Sequence, residues 1–304
     1  MTVSQAFDRI RKNGRNMETI YTCFVTTSNR ILEGVVTVKT LLLSGQDEKL
    51  EDIMEQYIIS ANTNDDQEDV AELFNRYDMM HIPIVDSENR LVGIVTVDDA
   101  MEIMQEEATE DIQKMAAISP TDRPYMKTSV FSIFKNRIPW LLLLMFSATF
   151  TGVIIDRYED ALTAQVALAA FIPMLMDTGG NVGSQSAVTV IRAMSLGEFS
   201  ATFKDFLKVF WKEFRVAIMC AVVLSAANFI RILLLGSDIL VAATISLTLI
   251  GTVVTAKTLG CLLPMVAQKV KLDPAVMSSP FITTIADALS LIIYFNIATT
   301  LLGL

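Results

Sequence analysis

The chain has 304 residues, of which 52% are apolar and 19% are charged, and its formal net charge is −10. The acidic surplus lies in residues 1–138, which carry 14 Lys and Arg against 24 Asp and Glu, whereas residues 139–304 carry 10 of each. This division excludes a single soluble globule, a disordered chain, a basic nucleic-acid-binding protein and a disulfide scaffold. We therefore expect an acidic polar region joined to a membrane region, and no nucleic-acid partner.

The acidic region begins with two related units, each a helical pattern followed by a strand, a turn and a second strand. The clearer unit, residues 70–104, contains HIPIVD, a turn at SENR, and LVGIVTV. The other starts at Val3 and contains YTCFVTT, a turn at SNR, and ILEGVVTV in the same order. An internal repeat of short β-branched strands beside helices predicts a paired α/β module.

Residues 98–115 form an acidic segment without Gly or Pro, which predicts a helix. Three pairs of like charge lie four residues apart in it: Glu102 and Glu106, Glu106 and Glu110, Glu107 and Asp111. Each pair destabilises a helix by about 0.2–0.5 kcal/mol. Divalent cations that bridge the carboxylates would remove this repulsion, and an ordinary solvated acidic helix is the alternative interpretation.

Five apolar segments follow, and each reaches or approaches the ~20 residues that a membrane-spanning helix needs. They are Pro139–Ile155, Ala161 to about Val190, about Val216–Leu235, about Ile239–Ala267 and about Pro274–Leu302. Eleven Lys and Arg fall on one side of these segments and two on the other, which predicts a cytosolic N-terminus and an external C-terminus. Residues 199–215 alternate aromatic and Lys residues at helical spacing, which predicts an interfacial amphipathic helix.

Three ionisable residues lie well inside the apolar segments: Asp177, Lys257 and Asp287. Each costs about 2.5–3.5 kcal/mol at the centre of a membrane helix. Asp287 shares one predicted helix face with Thr283, Thr284 and Ser290, which favours an ion pathway. The alternatives are a buried pair of Asp287 with Lys257 and a membrane-embedded aspartyl protease that uses both aspartates. We expect no enzyme.

The second apolar segment contains DTGGNVGSQS, residues 177–186. Three glycines are expected to weaken the helix there, and freed carbonyls at membrane depth must line protein or water. Carbonyls beside a carboxylate suit a hard cation such as Mg²⁺, which would keep much of its water. The alternative is a small-residue packing face of the GxxxG type.

The paired module resembles a tandem CBS-domain pair, through IPIVD at Ile82–Asp86 and GIVTVDD at Gly93–Asp99. In that family the second run often binds a nucleotide such as ATP, and Thr96 and Asp99 match the binding positions. The first copy, GVVTVKT, has Thr40 where the acidic residue would stand.

The whole chain resembles the MgtE family of magnesium channels. The matching runs are EATEDI at Glu107–Ile112, PMLMDTGGNVGSQS at Pro173–Ser186, and DPA at Asp273 with PFITTIAD ending at Asp287. The resemblance implies a homodimer in the plasma membrane with five spans per subunit and a Mg²⁺ pore on the two-fold axis.

The resemblance also implies roles for single residues. Asp287, Asn181 and Thr283 would form the pore site. Family members bind regulatory Mg²⁺ through carboxylates that match Glu68, Asp78, Asp99, Glu102, Glu107, Glu110, Asp111 and Asp273. The segment after the CBS pair would be a plug helix that closes the cytosolic pore mouth when internal Mg²⁺ is high.

We therefore predict an α/β tandem CBS-domain pair at residues 1–100, an acidic connecting helix and linker at 101–138, and an all-α polytopic membrane domain of five transmembrane helices at 139–304. Family members usually begin with an acidic helical domain before the CBS pair, whereas this chain starts within the first copy. On this basis we expect weaker but not absent Mg²⁺ inhibition. A broader transporter of Mn²⁺ or Co²⁺ is the alternative function.

Overall fold

A computed structural model describes residues 1–121, 123–199, 202–277 and 279–303. The chain divides into two compact units, Met1–Ala108 and Thr109–Leu304. The first unit mixes short strands with helices, and the second contains helices joined by loops, with no strand among its described residues. The predicted architecture, a paired α/β module followed by five helices long and apolar enough to span a membrane, is confirmed over the described residues.

The first unit consists of two copies of one motif, as the repeat predicts. Strands β1 and β2 of the first copy pair antiparallel, as do β4 and β5 of the second, while the short β3 runs parallel to β4. The elements in chain order are α1 Val3–Asn13, β1 Thr22–Thr26, β2 Leu32–Thr37, α2 Val38–Leu43, α3 Leu50–Ile53, β3 Ala61–Asn62, α4 Gln67–Tyr77, β4 His81–Val85, β5 Leu91–Thr96 and α5 Val97–Met115.

The two hairpins share local geometry. Arg30 and Asn89 both adopt positive φ in the turns, at 66° and 59°. Both hairpins also carry a register shift near the turn, between Val25 and Thr26 in one and between Ile84 and Val85 in the other. Equivalent irregularities at equivalent places support the internal repeat.

Each copy has its own small apolar core. Val3 and Leu41 are buried with Val36 in the first copy, and Phe74 and Ile82 are buried in the second. In the first copy, buried and more exposed residues alternate along β2, so its apolar residues face the core. The single His81 is buried, and its Nδ1 lies 3.2 Å from Thr22 Oγ1.

The second unit begins with the last turns of α5 and contains five helices that are long and apolar enough to span a membrane, counted over the described residues. Helix α8 is preceded by a 3₁₀ segment, Val166–Phe171, that belongs to the same span. The helices are α6 Val130–Arg157, α7 Glu159–Ala164, α8 Ile172–Ser195, α9 Phe203–Leu234, α10 Ile239–Lys269 and α11 Ser279–Leu302.

Helix α10 is the centre of this unit, because 56% of the residues in its most apolar stretch are buried. It packs against α8, α9 and α11 around an apolar core that includes Ile245, Leu249 and Phe295. By contrast, only 6% of the residues in the most apolar stretch of α6 are buried. A helix that is apolar and exposed in this way requires lipid or another protein surface around it.

One local expectation is extended by the structure and one is wrong. The described part of the amphipathic segment at 199–215 is helical from Phe203, as predicted, and continues without a break into the third span as α9. The glycine-rich segment does not interrupt its helix, because α8 is continuous from Ile172 to Ser195. The tertiary contacts of those glycines explain the second difference.

Candidate functional site

Asp287 lies eight residues from the start of α11, and it is the charged residue of a helix whose other residues are apolar or neutral polar. Its side chain is half-buried, and its Oδ1 is buried without a hydrogen-bond partner among the described residues. A buried carboxylate oxygen without a partner is costly unless it meets a cation or water. Asp287 is therefore a candidate cation-binding group in the membrane unit.

Two threonine hydroxyls lie one turn before Asp287. Thr283 Oγ1 donates to Ser279 O at 2.8 Å, and Thr284 Oγ1 donates to Pro280 O at 3.0 Å. Since each hydroxyl has only one hydrogen, both oxygens are left with acceptor capacity alone. Ser290, predicted on the same stripe, is instead buried against Gly179 of α8.

The glycines of α8 serve close helix packing. A Cβ built on Gly179 would lie 2.8 Å from Ser290 Oγ, and one built on Gly180 would lie 2.8 Å from Thr283 Cγ2. On the side that faces α10, a Cβ on Gly183 would lie 3.2 Å from the carbonyl oxygen of Ala256. The small-residue packing interpretation is thus confirmed for this segment, and its carbonyls remain within the helix.

The other face of α8 presents a polar stripe. Asp177, Asn181 and Gln185 follow one another at intervals of four residues, and all three are exposed. Asp177 is close enough to Asp287 to interact with it electrostatically. Gly180 packs on Thr283, so α8, which carries Asn181, lies against α11, which carries Asp287. The three predicted pore residues lie on two helices in contact.

Lys257 does not pair with either aspartate. Its Nζ donates to Ser186 Oγ at 3.1 Å and lies 3.6 Å from Glu213 Oε2. Ser186 Oγ in turn donates to the same Glu213 oxygen at 2.7 Å. The alternative interpretation, a buried pair of Lys257 with Asp287, is therefore wrong. The sequence analysis missed Glu213 because it lies among the lysines of the amphipathic segment and looks like a surface residue.

The predicted regulatory residues of the first unit lie on α4, α5 and the turns beside them. Glu107 Oε1 accepts a hydrogen bond from Gln67 Nε2 at 2.6 Å. Asp78 ends α4 in the left-handed conformation, with φ 51°, and Glu102 is exposed on α5. Glu68, in the first turn of α4, donates its backbone N–H to Asp66 Oδ1.

Thr96 and Asp99, the predicted nucleotide-binding residues, cap the start of α5. Asp99 Oδ2 accepts from Thr96 Oγ1 at 2.7 Å and from Thr96 N at 3.0 Å. These bonds hold the pKa of the Asp99 carboxyl below its usual value. In the first copy Thr37 and Thr40 form the equivalent contact with two hydroxyls. A nucleotide that used Asp99 would have to compete with this cap.

The remaining regulatory residues lie in the second unit. Lys114 forms ion pairs with Glu110 on its own helix and with Asp273, whose carboxylate also accepts from Ala275 N. Asp111 Oδ2 accepts from Ser195 Oγ at 3.0 Å. Among the residues described, no three Asp, Glu, His or Cys side chains come together in a way that could hold a metal ion. The regulatory sites stay a prediction.

These features define a multi-pass membrane protein with an acidic CBS-domain pair and a carboxylate on a membrane helix. A family model described as a divalent cation transporter matches residues 172–297, and a CBS-domain model matches residues 50–106. The chain belongs to the MgtE family.

The chain is similar to three curated relatives, each named magnesium transporter MgtE. It is 38% identical to that of Bacillus subtilis over 98% of this chain and 65% of the relative, and 34% identical to that of Thermus thermophilus over 99% and 66%. The Enterococcus faecalis relative is 30% identical over 98% and 65%. The chain thus spans about two thirds of the length of these relatives.

Among solved structures, the soluble part of a magnesium transporter is 35% identical, with a TM-score of 0.35. That match covers 36% of this chain and 42% of the other.

Proposed function

We propose that the chain is a Mg²⁺-selective channel of the plasma membrane, with a cytosolic N-terminus and an external C-terminus. The observation that carries this proposal is the unpartnered carboxylate oxygen of Asp287 on an apolar membrane helix. The names of the three relatives, each a magnesium transporter, indicate Mg²⁺ as the transported ion. Because the chain spans only part of those relatives, the transported ion belongs to the proposal.

The oxygen atoms near Asp287 suit a hydrated divalent cation. Asp287 supplies negative charge, and the hydroxyl oxygens of Thr283 and Thr284 supply acceptors only. Mg²⁺ loses its water reluctantly, so one carboxylate and several neutral oxygens would contact its water shell rather than the ion. Asn181 would add an amide oxygen from the polar stripe of α8.

The proposed channel is a homodimer. The polar stripe of Asp177, Asn181 and Gln185 is exposed on a helix that crosses the membrane, and lipid does not satisfy such groups. A two-fold arrangement would place two copies of the stripe and two Asp287 carboxylates around one axis. Each subunit would then supply half of the ion pathway.

Cytosolic Mg²⁺ would regulate the channel through the acidic carboxylates of the CBS pair and α5. Glu110, Asp111 and Asp273 already fix the last turns of α5 within the membrane unit, through Lys114 and Ser195. Bound Mg²⁺ would reduce the repulsion among the remaining carboxylates of α5. Limited proteolysis tests this: millimolar Mg²⁺ should protect residues 98–115, and equal cleavage without Mg²⁺ would contradict the regulatory part.

Transport itself is tested by Mg²⁺ flux into proteoliposomes. Asp287→Ala should reduce flux to that of protein-free liposomes, whereas Asp160→Ala, which removes an exposed carboxylate from α7, should leave it unchanged. Asp287→Asn keeps the volume of the side chain and removes its charge, so it distinguishes an effect of charge from an effect of shape. Normal Mg²⁺ flux through the Asp287→Ala variant, at an equal amount of folded protein, would contradict the placement of Asp287 in the ion pathway.

A broader divalent cation transporter is the second candidate, and the description of the matching family model favours it. A hydrated-ion site discriminates by size and field strength, so Mn²⁺ and Co²⁺ are the relevant competitors. In the same liposomes, inhibition of Mg²⁺ flux by equimolar Mn²⁺ together with Mn²⁺ uptake would select this candidate over the first.

A further inference from the structure

A buried charged network joins three membrane helices. It lies beyond Asn181 in the direction of the C-terminal end of α8. Lys257 of α10, Ser186 of α8 and Glu213 of α9 are linked by contacts of 3.1, 2.7 and 3.6 Å. Lys257 is 5% exposed and Ser186 is 1% exposed. Neither the proposed ion pathway nor the regulatory carboxylates use any of these groups.

Such a network is a poor source of stability. Two charges taken out of water lose hydration that their mutual attraction seldom exceeds, and apolar residues of similar volume often stabilise a protein as well or better. In some proteins a buried polar network instead specifies one arrangement of the helices, because hydrogen bonds depend on direction and distance. Its role is therefore to be sought in the geometry of the helices that it joins.

Around the network, the contact between α8 and α10 includes a stretch of small residues. Gly179 and Gly183 of α8 face Thr252 and Ala256, and a Cβ on Gly260 would overlap the carbonyl oxygen of Gly183. Smooth surfaces of this kind allow close approach. In this stretch few side chains are available to fix the axial position of α8, so the directional hydrogen bonds of the network act where steric locking is weakest.

The axial position of α8 matters for the proposed site. Asn181 lies five residues before Ser186 on the same helix, which is about 7.5 Å along the axis. Gly180 packs on Thr283 of α11, one turn from Asp287. A shift of α8 along its axis would therefore move the Asn181 amide relative to the Asp287 carboxylate.

We propose that Lys257, Ser186 and Glu213 are positioning residues that set the axial register of α8 against α9 and α10, and thereby the level of Asn181 relative to Asp287. The inference rests on the proposed function for the relevance of those two residues. The register itself is a property of the fold and can be measured without any transport.

A cross-link between α8 and α11 reports the register. Ser184 Oγ and Ser279 Oγ are 2.7 Å apart, so cysteines at these two positions should form a disulfide readily. The background replaces the three native cysteines, Cys23, Cys220 and Cys261, with alanine. The full chain carrying the cysteine pair is then compared with and without changes in the network.

The informative change is the double variant Lys257→Met with Glu213→Leu. It removes both charges together, whereas Lys257→Met alone leaves a buried carboxylate unpaired and is expected to fold poorly. Ser186→Ala removes only the bridging hydroxyl. Lys212→Met is the matched control, because it removes an exposed lysine next to Glu213.

We expect the double variant and Ser186→Ala to keep the thermal transition of the parent while the cross-linking rate falls by about tenfold, since intramolecular rates depend steeply on geometry. The Mg²⁺ concentration for half-maximal flux should rise in the same variants, and Lys212→Met should change neither quantity. An unchanged cross-linking rate in the folded double variant would overturn the inference. Slower cross-linking in a chain whose wild type conducts no Mg²⁺ would keep the register role and reject only the proposed function.

Discussion

The ammonium group of Lys114 lies 2.6 Å from Oδ2 of Asp273. The same ammonium group pairs with Glu110, one turn earlier on α5. Burial opposes the charge on this lysine, but hydrogen bonds to Asp273 and Glu110 outweigh it and raise the pKa of Lys114. The lysine therefore stays charged throughout the neutral range and holds two of the carboxylates to which the family resemblance gives a regulatory Mg²⁺ role.

Removing this lysine should strengthen Mg²⁺ binding. Lys114→Met leaves Glu110 and Asp273 without their tethered cation, so a divalent ion no longer competes with an ammonium group there. A partly exposed ion pair is worth up to about 1 kcal/mol, which corresponds to about a fivefold lower Mg²⁺ concentration for half-maximal inhibition of flux. The measurement is flux into proteoliposomes with Mg²⁺ varied on the side of the CBS pair.

Lys127→Met, which removes an exposed lysine from the linker, is the control for the change in net charge and should leave the inhibition curve in place. Lys114→Met with unchanged or weaker inhibition would show that Glu110 and Asp273 take no part in Mg²⁺ binding.

The packing of α8 against α11 should tolerate no added methyl group at Gly180. In Gly180→Ala the new Cβ would meet Thr283 Cγ2 at 2.8 Å, so one helix must move. Overpacking of this kind costs about 1–3 kcal/mol. We expect a lower thermal transition in detergent and a lower flux, because Thr283 and Asp287 share a helix.

Gly152→Ala provides the comparison, since nothing lies within 4 Å of a Cβ at that position in α6. Alanine favours a helix over glycine by about 0.5–1 kcal/mol, so this variant should be as stable as the parent or slightly more so. Equal behaviour of the two alanine variants would mean that the α8–α11 contact is looser than the structure has it.

The cap at the start of α5 should make the stability of that helix depend on acid pH. Because the pKa of Asp99 is lowered from 3.8, its contribution is complete above that value and is lost as the pH falls through the lower value of the folded state. Asp99→Ala should cost about 1 kcal/mol, as removal of a capping interaction does. Faster hydrogen exchange of the amides at residues 97–103 in the full chain measures the effect.

Asp98→Ala removes the neighbouring exposed carboxylate, which carries no such cap, and should change exchange in that segment much less. Identical exchange in both variants would indicate that the contacts between Thr96 and Asp99 do not stabilise α5.

The sequence predicts much of the fold because the relevant signals are local. The paired hairpins follow from the repeated strand and turn pattern, and their matching positive φ angles at Arg30 and Asn89 lie in the turns that the pattern predicts. The five spans follow from the length of the apolar runs, although their ends differ by several residues. Helix α6, for example, begins at Val130, nine residues before the predicted start at Pro139.

The continuity of α8 is a case in which local reasoning fails. Three glycines weaken an isolated helix, and local reasoning therefore predicts an interruption at this segment. In the folded chain the absence of side chains lets Thr283, Ser290 and Ala256 approach the backbone of α8. Tertiary packing then supplies the stability that helix propensity lacks.

The sequence by itself therefore determined the division into an acidic repeat and a membrane unit, the number of spans and the position of Asp287 on an apolar helix. All of these depend on the order and spacing of residues along one segment. Only the tertiary structure decided that Lys257 pairs with Glu213 rather than with an aspartate, and that Lys114 pairs with Asp273. The partners of a charge on a packed helix come from segments far apart in the chain, and which of several carboxylates lies within 4 Å depends on the arrangement of the helices in space.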